Sequence, residues 1–120
     1  MNAVQTLHQF WSSFGIPAYD ESTVPDNASL PYLTYEISND FFGNALARNV
    51  SLWYRSASWS AITFKEQDIA ETIGRGGRML ECDEGAIWIK RGVPWAQRMT
   101  EPSDDMIRRI VLNIEMEFLI

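Results

Sequence analysis

The run Arg109-Ile110-Val111-Leu112-Asn113-Ile114-Glu115-Met116-Glu117-Phe118 sets Ile110, Leu112, Ile114, Met116 and Phe118 on one side and Arg109, Val111, Asn113, Glu115 and Glu117 on the other. A period of two is that of a pleated strand with one buried face. The run therefore predicts a long C-terminal strand and a sheet that needs covering on one side. About twelve such residues extend to ~40 Å, more than a domain of this size spans comfortably. Part of the strand is accordingly expected to project or to lie beside another subunit.

Working back from this strand, Glu101-Pro102-Ser103-Asp104-Asp105 breaks the pattern. Met79–Cys82 and Ala86–Lys90 are short apolar runs joined by Asp83-Glu84-Gly85, which reads as a hairpin, and Pro94–Met99 adds a short strand. Thr63-Phe64-Lys65-Glu66 has the form of a capping box, after which the spacing of Ile62, Glu66, Ile69 and Ile73 predicts a helix that stops at Gly74. Strands are predicted over Ala47–Ser58 and Tyr32–Ser38, the latter with Pro31 at its start. Between these strands Asn39-Asp40-Phe41-Phe42-Gly43-Asn44 reads as a turn that carries two aromatics. Residues 17–31 are rich in Pro, Asp and Ser and read as an ordered loop. Val4, Leu7, Trp11 and Phe14 share one helical face, and Gly15-Ile16-Pro17 ends that helix. The order is an α+β pattern: a mainly antiparallel sheet with two helices packed on one face and a long C-terminal strand, in one domain over residues 1–120.

Composition narrows the function. The 120 residues are 46% apolar, enough to build a core without staples, and a single cysteine leaves no internal disulfide and no multi-cysteine zinc pattern. Met1–Leu7 has no basic residue ahead of an apolar run, and eighteen consecutive apolar residues occur nowhere. A soluble protein made in a cytoplasm, with no membrane partner, is expected. A net charge of −6 argues against a protein held on nucleic acid by phosphate contacts. Eight of the ten cations are Arg, the planar, bidentate cation that suits protein interfaces.

The candidate chemical motifs have plainer readings. His8 and Cys82 would form a dyad only if the fold joined them, and a helix-flank histidine and a hairpin cysteine are the simpler account. Asp20-Glu21, Asp83-Glu84 and Asp104-Asp105 sit in predicted turns, where carboxylates cap and solvate. Gly74-Arg75-Gly76-Gly77-Arg78 lacks the lysine and hydroxyl of a phosphate loop and follows a helix, so it reads as a C-cap and tight turn with two arginines free for a partner. Asn27-Ala28-Ser29 and Asn49-Val50-Ser51 match the glycosylation pattern without a secretory signal to give it meaning. Trp53, Trp59, Trp88 and Trp95 exceed what one small core needs, and Trp and Arg are enriched at interfaces. No catalytic, cofactor or metal site is predicted; binding or assembly is the expected role.

The strings Ile16-Pro17-Ala18-Tyr19, Val24-Pro25 and Leu30-Pro31-Tyr32-Leu33-Thr34-Tyr35 resemble the tail terminator (tail completion) proteins of long-tailed bacteriophages and prophages. In that family a first helix leads through a short extended segment and a polar loop into a strand of the Leu-Pro-Tyr type. The turn at Asp40–Asn44, Trp53-Tyr54, the helix near Glu66–Ile73 and the closing run Asp104–Phe118 follow the same layout, while Arg75–Arg91 departs from it. The resemblance implies a non-enzymatic structural virion protein, assembled in the bacterial cytoplasm, that forms a homo-oligomeric ring, usually of six copies. Such a ring sits on the head-proximal end of the tail tube, halts polymerisation of the major tail tube protein and offers a surface to the head connector or stopper. DNA is met only in passage through the channel. In that setting Phe41, Phe42, Trp59, Arg75, Arg78 and Trp95 are the expected contact residues, because they are apolar or bidentate groups in turns and element ends. Alanine there is expected to weaken assembly and spare the fold. The alternatives are another neck component, a head–tail connector or stopper, or a small cytoplasmic domain that uses its aromatics to line a ligand pocket.

Overall fold

The C-terminal alternation folds as a strand over Ile107–Leu119, called β6 below, inside a six-stranded sheet; the structure is a computed structural model that describes residues 1–36 and 46–119. In chain order the elements are α1 (Ala3–Ser12), β1 (Ala18–Asp20), β2 (Tyr32–Tyr35), β3 (Leu46–Arg55), α2 (Ser60–Ile73), β4 (Arg78–Cys82), β5 (Gly85–Thr100) and β6. The sheet runs β1-β2-β3-β6-β5-β4, antiparallel except for the β1–β2 pair. The expected turn holding Phe41 and Phe42 lies outside the described residues.

Neither end of β6 projects. Its first ten residues pair with β3 on one side, and Arg108–Leu119 pairs with β5 on the other. The reason is that β5 is as long as β6. Pro94–Met99 is not a separate strand; it continues β5 across a bulge in which Gly92–Trp95 face Asn113 alone, between the pairs Arg91↔Ile114 and Ala96↔Leu112. Gly92 is required there, since a Cβ would sit 2.9 Å from the Asn113 carbonyl oxygen. The Asn113 side chain donates to the Pro94 carbonyl at 2.6 Å and pins the bulge. From Arg108 to Met116 both neighbours of β6 come from its own chain, and Glu117–Leu119 continue the pairing with β5.

The alternation decides which side is covered. Register aligns Leu33, Leu52 and Ile110 across β2, β3 and β6, and likewise Tyr35, Val50 and Leu112, while Ile89 and Ile87 of β5 meet Met116 and Phe118. All are buried in one cluster with Leu7, Trp11 and Phe14 and with Ile62, Ile69 and Ile73 of α2. Both helices therefore cover the same face. Each such side chain contributes about 1.5–3 kcal/mol by leaving water. Among the described residues the other face carries no helix. There Trp53 donates its indole N–H to Thr34 Oγ1 at 3.0 Å, and Arg109 lies 4.4 Å over the Trp53 ring while its guanidinium reaches Ser51 Oγ at 3.1 Å. These large side chains shelter Thr34 and Ser51.

Three local features were missed in the sequence reading, and β3 ends at Arg55, short of the expected Ser58. α1 starts on a full capping box, in which the Asn2 side chain accepts from the Gln5 amide and Gln5 Oε1 accepts from the Asn2 amide. α2 starts at Ser60, so Thr63 is not its N-cap; its Oγ1 is buried without a partner, and Glu66 serves Trp95 instead. The helix begins earlier because Ser58 Oγ accepts from the Ser60 amide and Thr63 N–H bonds to Trp59 O. Ala18–Asp20, read as part of a loop, forms a short parallel strand on β2, with Leu33 N–H also bonded to Pro17 O.

Candidate interaction surface

α2 packs beside the second half of β5, and two of the described contact candidates, Trp59 and Trp95, fall along that seam. Trp59, just before α2, stacks against two guanidinium groups, Arg98 at 4.7 Å and Arg108 at 5.4 Å from its ring centre. Arg108 is fixed by bonds to the Asp105 and Ala57 carbonyls, and Arg98 is exposed. Phe64, one turn into α2, is 71% exposed. Together Trp59, Phe64, Ser60 and Arg98 bound an open cleft of about 400 Å³. Its composition, aromatic walls with a cation, is that of protein contact sites.

Trp95 lies farther along, with its indole N–H donated to Glu66 Oε1 at 2.5 Å. Arg75 and Arg78 are exposed beyond the other end of α2, Arg78 opening β4 opposite Ile89. A fourteen-residue helix is about 21 Å long, so Trp59 just before it and Arg75 and Arg78 just beyond it do not form one cluster. Trp59 and Trp95 are half-buried and pack on the core. Alanine at either removes fold contacts as well as surface, a correction to the expectation for them; Arg75 and Arg78 keep the original expectation. Arg98 and Arg108, which bracket Trp59, were not singled out in the sequence, because only strand register brings them to it.

The seam also contains an open sheet edge. β4 pairs with β5 only at Gly85–Ile89, and no described strand lies on the outer side of residues 96–100. Gln97, Arg98, Met99 and Thr100 are exposed there, Met99 at 42%. Unpaired edges are templates for further strands, which proteins normally blunt with charge, proline or bulges. Here the bulge and Pro94 protect the segment before Ala96, and the segment after it keeps only Arg98.

The remaining polar candidates are occupied locally. His8 Nδ1 lies 2.7 Å from the Tyr35 hydroxyl, and His8 Nε2 is 3.4 Å from Ser12 Oγ. That order, hydroxyl, imidazole, hydroxyl, has the outline of an activated nucleophile, but the serine contact is longer than the roughly 2.6–3.2 Å such pairs use. Burial, and then the charge of Asp20, pushes the Tyr35 hydroxyl above its ordinary pKa. Cys82 is half-buried at the end of β4. Asp20 accepts from the Ser22 amide and hydroxyl, Asp83 pairs with the terminal amine at 3.0 Å, and Glu84 accepts from the Ala3 amide. Asp104 accepts from the Met106 amide and from Arg55 at 2.7 Å, which hold its carboxyl below the ordinary range. Among the described residues no group of three or more His, Cys, Asp or Glu is placed to hold a metal, and no helix is long and apolar enough to cross a membrane.

No family model matches the chain, and neither a curated protein nor a solved structure matches it.

Proposed function

We propose that the chain is a structural virion protein of the tail-terminator kind, which self-assembles on the head-proximal end of a phage tail tube, stops its growth and presents a docking surface to the head. The observation that carries this reading is the α2–β5 seam, where an unpaired strand edge runs beside Trp59, Phe64 and Arg98. A lone monomer gains nothing from such a surface, whereas a strand-pairing edge flanked by aromatic and guanidinium groups suits repeated protein contact. The helix, short strand, polar loop and Tyr32–Tyr35 strand in that order agree with the resemblance. The acidic balance agrees with a channel that DNA passes without sticking.

Co-sedimentation with tubes polymerised from a phage major tail tube protein tests the proposal. The chain is expected to pellet with tubes at a stoichiometry set by tube ends, not by tube length. Retention on the portal or adaptor with none on tubes would assign it instead to a connector or stopper.

A further inference from the structure

Charge is divided across the sheet. Residues 1–47 contain no Lys or Arg, and the stretch from β1 to the end of β2 carries Asp20, Glu21 and Asp26, with Glu36 just after it. β5 carries Lys90, Arg91 and Arg98 and no acid. The strand order places β1 at one border of the sheet and the uncovered half of β5, whose one charge over residues 96–100 is Arg98, at another, so an acidic edge and a cationic one belong to different borders of one molecule. Two different and complementary edges make a heterologous interface, the kind that closes into a ring when the rotation per subunit allows it.

Direction and length agree. β1 is parallel to β2, β2 antiparallel to β3, β3 to β6 and β6 to β5. In a side-by-side repeat of the molecule, β1 of a second copy therefore runs antiparallel to β5, the same sense in which β4 pairs with it. β1 has three residues, and the gap left beyond β4 spans residues 96–100. The outer side of β1 has no strand on it among the described residues.

We infer that the uncovered β5 edge of one copy, residues 96–100 with Arg98, receives the acidic β1 edge of a second copy, residues 18–21, in antiparallel pairing. Backbone bonds supply the contact, and Glu21 and its neighbours against Arg98 set its polarity and exclude the reverse pairing. The inference rests on the self-assembly in the reading above and specifies which surfaces meet.

Sedimentation velocity over a concentration series tests it, with wild type, Glu21→Arg, Arg98→Glu and the double variant Glu21→Arg/Arg98→Glu. Both side chains are exposed, and circular dichroism checks that each variant is folded. Because Arg98 also stacks on Trp59, Gln97→Glu, an exposed change on the same edge, serves as a second disruption. Wild type is expected to self-associate and to weaken as salt rises. Each single reversal should lower association at least about tenfold, and the double variant should recover most of it while failing to co-assemble with wild type. Single reversals that associate as wild type, a double variant no better than the singles, or a wild type that stays monomeric even with tail tubes present would overturn the inference. A chain that associates through these edges yet leaves tubes unbound keeps this interface and removes the tail reading. Tube binding unaffected by either reversal does the opposite.

Discussion

Trp11→Ala is expected to lower unfolding free energy by about 3–5 kcal/mol, the range for deleting a buried large aromatic. Trp11 is 2% exposed and the largest fully buried side chain. It meets Phe10 edge-on with ring centres 4.9 Å apart and lies 6.3 Å from Phe14, so its removal leaves a void bounded by rings that cannot collapse onto one another without leaving their own contacts. A domain of this size has roughly 5–15 kcal/mol in total, so the variant sits near the limit of folding. Urea unfolding followed by fluorescence and circular dichroism measures it, with a shifted midpoint and unchanged slope expected. A loss under about 1 kcal/mol would mean that α1 is not docked as described.

Gly77→Ala should cost about 2–4 kcal/mol, an expectation built on backbone strain together with a clash against main chain. Gly77 has φ +85°, and a Cβ there would fall 2.5 Å from the Ile89 carbonyl oxygen, 2.6 Å from Trp88 Nε1 and 2.7 Å from Lys90 Cγ. Lys90 is flexible, but Ile89 belongs to β5, paired on both sides at that point, and the Trp88 indole is committed to the Gly76 carbonyl at 2.9 Å. Gly76 offers the control: nothing lies within 4 Å of its added Cβ, and Gly76→Ala should stay within about 0.5 kcal/mol of wild type. Thermal melts of the two variants separate them. Equal effects would show that the glycines of this turn serve only chain flexibility.

The Gly74–Arg78 string shows how far the sequence could be read. Gly74 as the α2 stop and a tight turn after it were legible, because glycine beyond an apolar stripe has few other uses. Which glycine is indispensable was not, since that depends on β5 returning beneath the turn. The same division holds elsewhere. The alternation at Ile110–Phe118 and the stripe through Leu7, Trp11 and Phe14 are periodic signals, and they gave β6, α1 and the α+β class. Ala18–Asp20 is too short to show a period, and it is a strand only because β2 pairs with it. Gly92 and Pro94 hid the continuity of β5, and with it the central place of β6.

Of the candidate surface, Trp59 and Trp95 were legible as aromatics beyond the needs of the core, although both also pack against it. Arg98 and the open edge were invisible, because one requires the register of β5 on β6 and the other requires β4 to end where it does. Charge distribution was available throughout: the absence of any Lys or Arg before Arg48 can be read from the sequence alone, but it acquires a place only once the strand order separates β1 from β5.

The most direct test of the central claim is the length of tail tubes grown in the presence of the purified chain. If the chain caps tubes, electron microscopy will show growth arrested at lengths that shorten as the chain is added earlier, with a ring of added density at one end only. Tubes that grow to the same lengths with and without it, and carry bare ends in both cases, would contradict the account.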